Sequence, residues 1–159
     1  MKDGFLKAAA AAPKIRVADP AWNAQEICKA LDSCYAQRAK LIVLPELCLT
    51  GYTCQDLFLQ ERLLEESLEG LQTVLEHTKG HDALTFVGLP FEKDGKLYNV
   101  AAALQDGTIL GLSRSRIFQT MGNFMRCGIL RQAAGKCPRW MCWDRPYPLA
   151  EICCFPAGI

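Results

Sequence analysis

Residues 41–57 read LIVLPELCLTGYTCQDL. Leu41 to Leu44 is a short continuous apolar run closed by Pro45, the pattern of a strand buried on both faces. Glu46 follows that strand by two residues, so its side chain emerges at the strand's C-terminal edge, where open α/β folds place their sites. A carboxylate held there beside apolar walls is suited to general-base chemistry near neutral pH. Taken alone, Glu46 is better read as a surface glutamate in a strand–loop junction.

Upstream, Phe5 to Val17 is small, apolar and partly β-branched, which predicts a first strand. Asn23 to Arg38 predicts a helix, with Asn23 and Glu26 as a capping box. Ile27, Ala30, Leu31 and Cys34 recur on one face at helical spacing. Downstream, Asp56 is placed to cap a long helix running to about Thr78, with Leu64, Leu68, Leu71 and Leu75 as its buried stripe and Glu65, Glu66 and Glu69 in water. His77 and His81 flank that helix's end, where solvated or capping roles are expected. Leu84–Leu89, Leu97–Leu104 and Thr108–Leu112 predict strands. The last two are joined by Gln105-Asp106-Gly107, and Asp-Gly is a hairpin signal. Two strand–helix alternations followed by strands in a row predict an α/β layered domain.

The chain of 159 residues is half hydrophobic and 22% charged, an ordinary globular composition long enough for one core. Its net charge of +1 gives no electrostatic ground for nucleic acid or membrane partners. No apolar run reaches membrane-span length, and Met1-Lys2-Asp3-Gly4 lacks the order of an export signal. A cytoplasmic location is expected. The nine cysteines then read mostly as free thiols, with Cys48 and Cys54 as packing residues.

These averages conceal a break. Residues 1–112 hold 11 Lys+Arg and 15 Asp+Glu, net −4, whereas residues 113–159 hold 7 and 2, net +5. Five cysteines crowd into the second part: Cys127, Cys137, Cys142, Cys153 and Cys154. No valine follows Val100, and no period of 2 or 3.6 is sustained. The expected organisation is a domain portion over 1–112 and an irregular tail, without a domain, over 113–159. Cys127, Cys137 and Cys142 form no CxxC pair, so no metal site is expected.

The 41–57 string resembles the first catalytic motif of the nitrilase, or carbon–nitrogen hydrolase, superfamily. MKDGF, PKIRVADPAWNAQEI, KLIVLPELCLTGYTCQDLFLQ and VGLPFEKDGKLYNVAAALQDGTILGL narrow this to the glutaminase domains of glutamine-dependent NAD synthetases. The resemblance covers nearly all of residues 1–112. It implies the front half of a four-layer α-β-β-α sandwich, with Glu46 as general base and Tyr52 lining the glutamine pocket; a half-buried core tyrosine is the plain alternative for Tyr52. It also implies glutamine as substrate and further copies of the same chain as partners. ATP, magnesium and deamido-NAD belong to a synthetase domain outside this chain, which itself is expected to hold no cofactor.

The family chemistry needs a cysteine nucleophile, the glutamate and a lysine that stabilises the tetrahedral intermediate. That lysine lies in a segment like VPKxYLPNYGEFYE, directly after the last hairpin. Here the chain reads SRSRIFQTMGNFMRC, with Ser115 in the lysine slot. Codons for Ser113–Leu130 can be chosen so that, read one base earlier, they spell VPKSYLPNYGEFYEMRHF. Pro146–Phe155 can likewise hide TVPFGRNLLF. The expectation is a frameshift near Gly111–Leu112 with an early stop at Ile159, leaving an inactive portion of a synthetase. Ala150-Glu151-Ile152-Cys153 mimics the family's nucleophile segment, but stands too early relative to Glu46. Two alternatives stand beside this reading: a small amidase using Glu46 and Cys153, and a non-catalytic interaction module.

Overall fold

A computed structural model describes residues 5–114 and the backbone of a short strand at 154–155. The elements run β1 (Ala8–Ala10), α1 (Pro20–Ala36), β2 (Leu41–Val43), a 3₁₀ turn (Gln55–Leu59), α2 (Glu61–His77), β3 (Leu84–Lys93), β4 (Lys96–Gln105), β5 (Thr108–Arg114) and β6 (Cys154–Phe155). They make one six-stranded sheet in the order β1-β2-β3-β4-β5-β6. The β1–β2 and β2–β3 pairs are parallel; the remaining pairs are antiparallel. This is the mixed α/β arrangement that the strand–helix alternation implies: helical crossovers make parallel neighbours, and tight turns make antiparallel ones.

Both tight turns carry the same signature. Asp94-Gly95 and Asp106-Gly107 all have positive φ, between 47° and 70°. Paired left-handed residues match the right-handed twist of the flanking strands, which is why Asp-Gly closes these hairpins. Thr78 Oγ1 accepts from the Gly107 amide at 2.9 Å, and Asp106 Oδ1 from the Gly80 amide at 2.7 Å, tying the β4–β5 turn to the end of α2.

The core lies between the helices and the sheet. Ile27 and Leu31 of α1 and Val74 of α2 meet Ile42, Val87 and Leu104 of the strands, all fully buried. Residues alternate along a strand, so Val87, Leu89, Val100, Ala102 and Leu104 share the helix side. Phe86, Gly88, Asn99 and Ala101 share the other.

Several elements depart from expectation. β1 is three residues, not the whole of 5–17, because it pairs with a β2 of only three residues and the chain then passes Pro13, which has no N–H to give a ladder. β2 is buried on one face: Ile42 is inaccessible, while Val43 is 46% exposed. Helix α1 begins at Pro20, not Asn23. Asp19 caps it by accepting from the Trp22 amide at 3.1 Å, with Pro20 at the first helical position. Asn23 is instead a buried clasp. Its Nδ2 donates to the Arg16 and Leu49 carbonyls at 2.7 and 2.9 Å, and its Oδ1 accepts from the Arg16 amide at 2.7 Å.

Asp56 caps no long helix; it sits in the 3₁₀ turn, and α2 starts only after Gln60. The buried face of α2 is Leu63, Ser67, Gly70, Leu71, Val74 and Leu75, with Leu68 37% exposed and Leu64 partly buried. Small residues decide that rotation. A Cβ on Gly70 would stand 3.2 Å from both Leu49 Cδ2 and the Pro20 carbonyl, so close approach to the start of α1 selects the Ser67–Gly70 seam. His77 and His81 do not act as caps. His77 Nε2 meets Asp32 of α1 at 2.8 Å, and the His81 ring stacks on Tyr35 at 3.8 Å. Strand β5 also runs past Leu112 through Ser113 and Arg114, which pair with Ala101 and Val100.

Candidate active site

Glu46 lies in the turn that leaves β2, and its backbone is stitched to β3. The Leu44 amide donates to the Phe86 carbonyl at 3.0 Å, and the Leu49 amide to the Gly88 carbonyl at 3.3 Å. Leu47 takes a left-handed φ of 51°, turning the chain sharply just after Glu46. Gly88 makes this close passage possible. A Cβ there would stand 2.6 Å from the Pro45 carbonyl oxygen and the Leu47 nitrogen. Only a residue without a side chain lets β3 run so near the turn.

The Glu46 side chain is held from a third element. Asn99 of β4, 5% exposed, donates its Nδ2 hydrogen to Glu46 Oε1. Glu46 itself is exposed, at the mouth of a cleft of about 320 Å³. Val43, Pro45, Phe86, Gly88, Asn99 and Ser113 line that cleft together with Glu46. One carboxylate on a largely apolar wall, fixed by a neutral amide donor, with the buried Arg114 lining the same cleft, is a geometry suited to accepting a proton from a bound group.

Tyr52 is not brought to this cleft. It is partly buried against a second apolar cluster of Leu47, Cys54, Phe58, Leu63 and Leu97. The two are linked through the turn, since Leu47 in that cluster directly follows Glu46.

Cys48 and Cys54 are packing residues, 1% and 2% exposed. Cys48 Sγ donates to the Gly88 carbonyl at 3.5 Å, and burial pushes its thiol up to about 11. Burial also raises the Cys54 thiol. Neither has the thiolate character of a nucleophile. Ser115 and Cys153 lie outside the described residues, as do Cys127, Cys137 and Cys142. Among the described residues lining the cleft there is no cysteine or lysine.

Among the described residues, no three His, Cys, Asp or Glu side chains are grouped to hold a metal ion. No helix among the described residues is long and apolar enough to cross a membrane.

Asn99 and Gly88 are the site residues that sequence reading misses. An asparagine in the middle of the apolar strand LYNVAAAL is the visible sign for Asn99, since a polar side chain there must find a partner. Gly88 falls inside the predicted strand Leu84–Leu89, where nothing local marks its role, and β3 continues through it to Lys93.

The carbon–nitrogen hydrolase family pattern matches residues 7–150. A glutamine-dependent NAD(+) synthetase from Aquifex aeolicus is 32% identical over 108 residues, 68% of this chain and 19% of that protein. Among solved structures, a glutamine-dependent NAD(+) synthetase from Cytophaga hutchinsonii superposes with a TM-score of 0.73 at 25% identity, over 79% of this chain and 21% of that one. An amidase from Nesterenkonia sp. shares the fold at a TM-score of 0.65 and 18% identity, over 82% and 49% of the two chains. The chain thus spans about a fifth of the length of the synthetases it matches. On the strength of the family match and of this nitrilase-like fold, the chain belongs to the carbon–nitrogen hydrolase family.

Proposed function

We propose that the chain is a portion of the glutamine-hydrolysing part of a glutamine-dependent NAD synthetase, with Glu46 as its general base. The observation that carries this is the placement of Glu46: at the end of β2, in a cleft, tied by Asn99, on a carbon–nitrogen hydrolase fold. In that reading a cysteine thiolate attacks the side-chain amide of glutamine and ammonia leaves. Glu46 takes the thiol proton, hands it to the departing nitrogen so that it leaves as ammonia, and later draws one from the water that cleaves the thioester. The ammonia serves amidation of deamido-NAD with ATP and magnesium in a synthetase domain of the parent enzyme. The working enzyme is cytoplasmic and assembles with further copies of itself.

The polypeptide by itself is inactive in this proposal. Ser115 stands where the resemblance puts the lysine, and a catalytic group acting as a unit loses most of its rate when one member is missing. Ammonia release from glutamine, followed with the purified full chain, tests this. No release above the protein-free blank is expected. Release that disappears in Glu46→Gln would overturn the inactivity and keep Glu46 as base. Release that survives Glu46→Gln would overturn both.

A further inference from the structure

We infer that Asn99 is a positioning residue for Glu46: its amide occupies one carboxylate oxygen and so leaves the other as the proton-accepting atom. The inference rests on the reading of Glu46 as a base, and it concerns how that base is aimed. Fifty-three residues separate the two in sequence, yet Asn99 Nδ2 donates to Glu46 Oε1. The two ends of this contact differ in freedom. Glu46 is exposed, on a turn after β2, and without a partner a glutamate there samples several rotamers. Asn99 is 5% exposed and sits mid-strand in β4, opposite Pro90 of β3. A buried amide on a paired strand has little room to follow a mobile carboxylate, so the fixed partner dictates the position of the free one.

Chemistry favours an amide for this task. An N–H donor stabilises the ionised carboxylate without giving it a proton, whereas a cation would form a tight ion pair and a carboxylic acid could transfer its proton. The remaining oxygen, Oε2, is the Glu46 atom for which no hydrogen bond is formed with Asn99. Of the two oxygens it is the one available to a group bound in the cleft. Gly88 completes the arrangement, because its bare backbone lets the Glu46 turn reach the distance at which Asn99 closes the bond.

Side-chain NMR of the full chain tests this without any need for turnover. In the wild type, the Glu46 χ couplings should report a single rotamer. In Asn99→Leu the couplings should average over rotamers. Asn99→Asp adds a signature that a merely structural role would not produce: disorder of Glu46 at neutral pH, where two carboxylates repel, and recovery at acid pH, where one is protonated and donates. Should Asn99→Leu fail to fold, Glu46→Ala reads the same bond from its other end, as an upfield shift of the bonded Asn99 amide proton. A Glu46 already averaged over rotamers in the wild type would overturn the inference. So would one still locked in Asn99→Leu, or an Asn99 amide unmoved by Glu46→Ala. Failure of the base reading is a separate result, seen in ammonia release.

Discussion

Gly88 and Pro45 are in backbone contact: a Cβ built on Gly88 would stand 2.6 Å from the Pro45 carbonyl oxygen. The obstacle is main chain on both sides, so no side-chain rotation relieves it. Gly88→Ala should destabilise the domain by at least about 2 kcal/mol, the scale of forced overpacking in a tight interior. Urea denaturation checks this. The Asn99 side-chain amide signal in the folded fraction should also shift, because the Glu46 turn must move away from β3.

Asn23 and Asp19 separate a clasp from a cap. Asn23→Ala removes three hydrogen bonds and leaves the Arg16 amide and the Arg16 and Leu49 carbonyls to find new partners. A loss of about 2–3 kcal/mol is expected. Asp19→Ala removes the hydrogen bond to the Trp22 amide and an exposed ion pair with Arg16, worth little, and should cost about 1 kcal/mol. Equal losses in denaturant melts of the two variants would contradict the clasp.

The Cys48 thiol sets a direction for alkaline stability. Burial raises it from the ordinary value of 9.0 to about 11, so the folded state holds its proton more tightly than the unfolded state. That contribution is fully present below pH 9.0 and is lost as pH rises through about 11. Burial also raises the thiols of Cys28, Cys34 and Cys54, which act in the same direction. Unfolding free energy should therefore fall between pH 9 and 11, by on the order of 2 kcal/mol for Cys48 alone. Denaturant melts at pH 8 and 10.5 measure it, and Cys48→Ala should show a shallower fall. At pH 7.5, iodoacetamide should leave Cys48 unlabelled in the folded protein.

The two hairpin glycines form a matched pair. Gly95 and Gly107 have φ of 66° and 70°, so replacement by alanine carries the same left-handed backbone cost of about 1–2 kcal/mol. A Cβ at Gly95 meets open space, while one at Gly107 would stand 2.6 Å from Lys79 Cγ. Lys79 is a flexible side chain and can move aside. Gly107→Ala should thus exceed Gly95→Ala by only a few tenths of a kcal/mol in thermal or denaturant melts. A gap of several kcal/mol would mean that the Lys79 stem is fixed.

What the sequence alone determined about this protein is local or motif-borne. Apolar runs and Asp-Gly turns mark the strands and the β4–β5 hairpin, because both depend on the conformational preferences of a few neighbouring residues. Leu41 to Leu57 carries the family resemblance and with it Glu46. Element ends were less legible: the Asp19-Pro20 start of α1 gave way to the capping box at Asn23, and Asp56 competed with the 3₁₀ turn that delays α2 to Glu61. Only the tertiary structure decided what depends on close approach between distant segments. The face α2 buries follows from Gly70 pressing against Pro20 and Leu49, and not from the spacing of its leucines. Asn23 becomes a clasp because the Leu49 carbonyl arrives beside it from across the fold. The aim of Glu46 depends on Gly88 and Asn99, one and two strands away, and no local preference in 41–57 can encode a partner that pairing alone brings into reach.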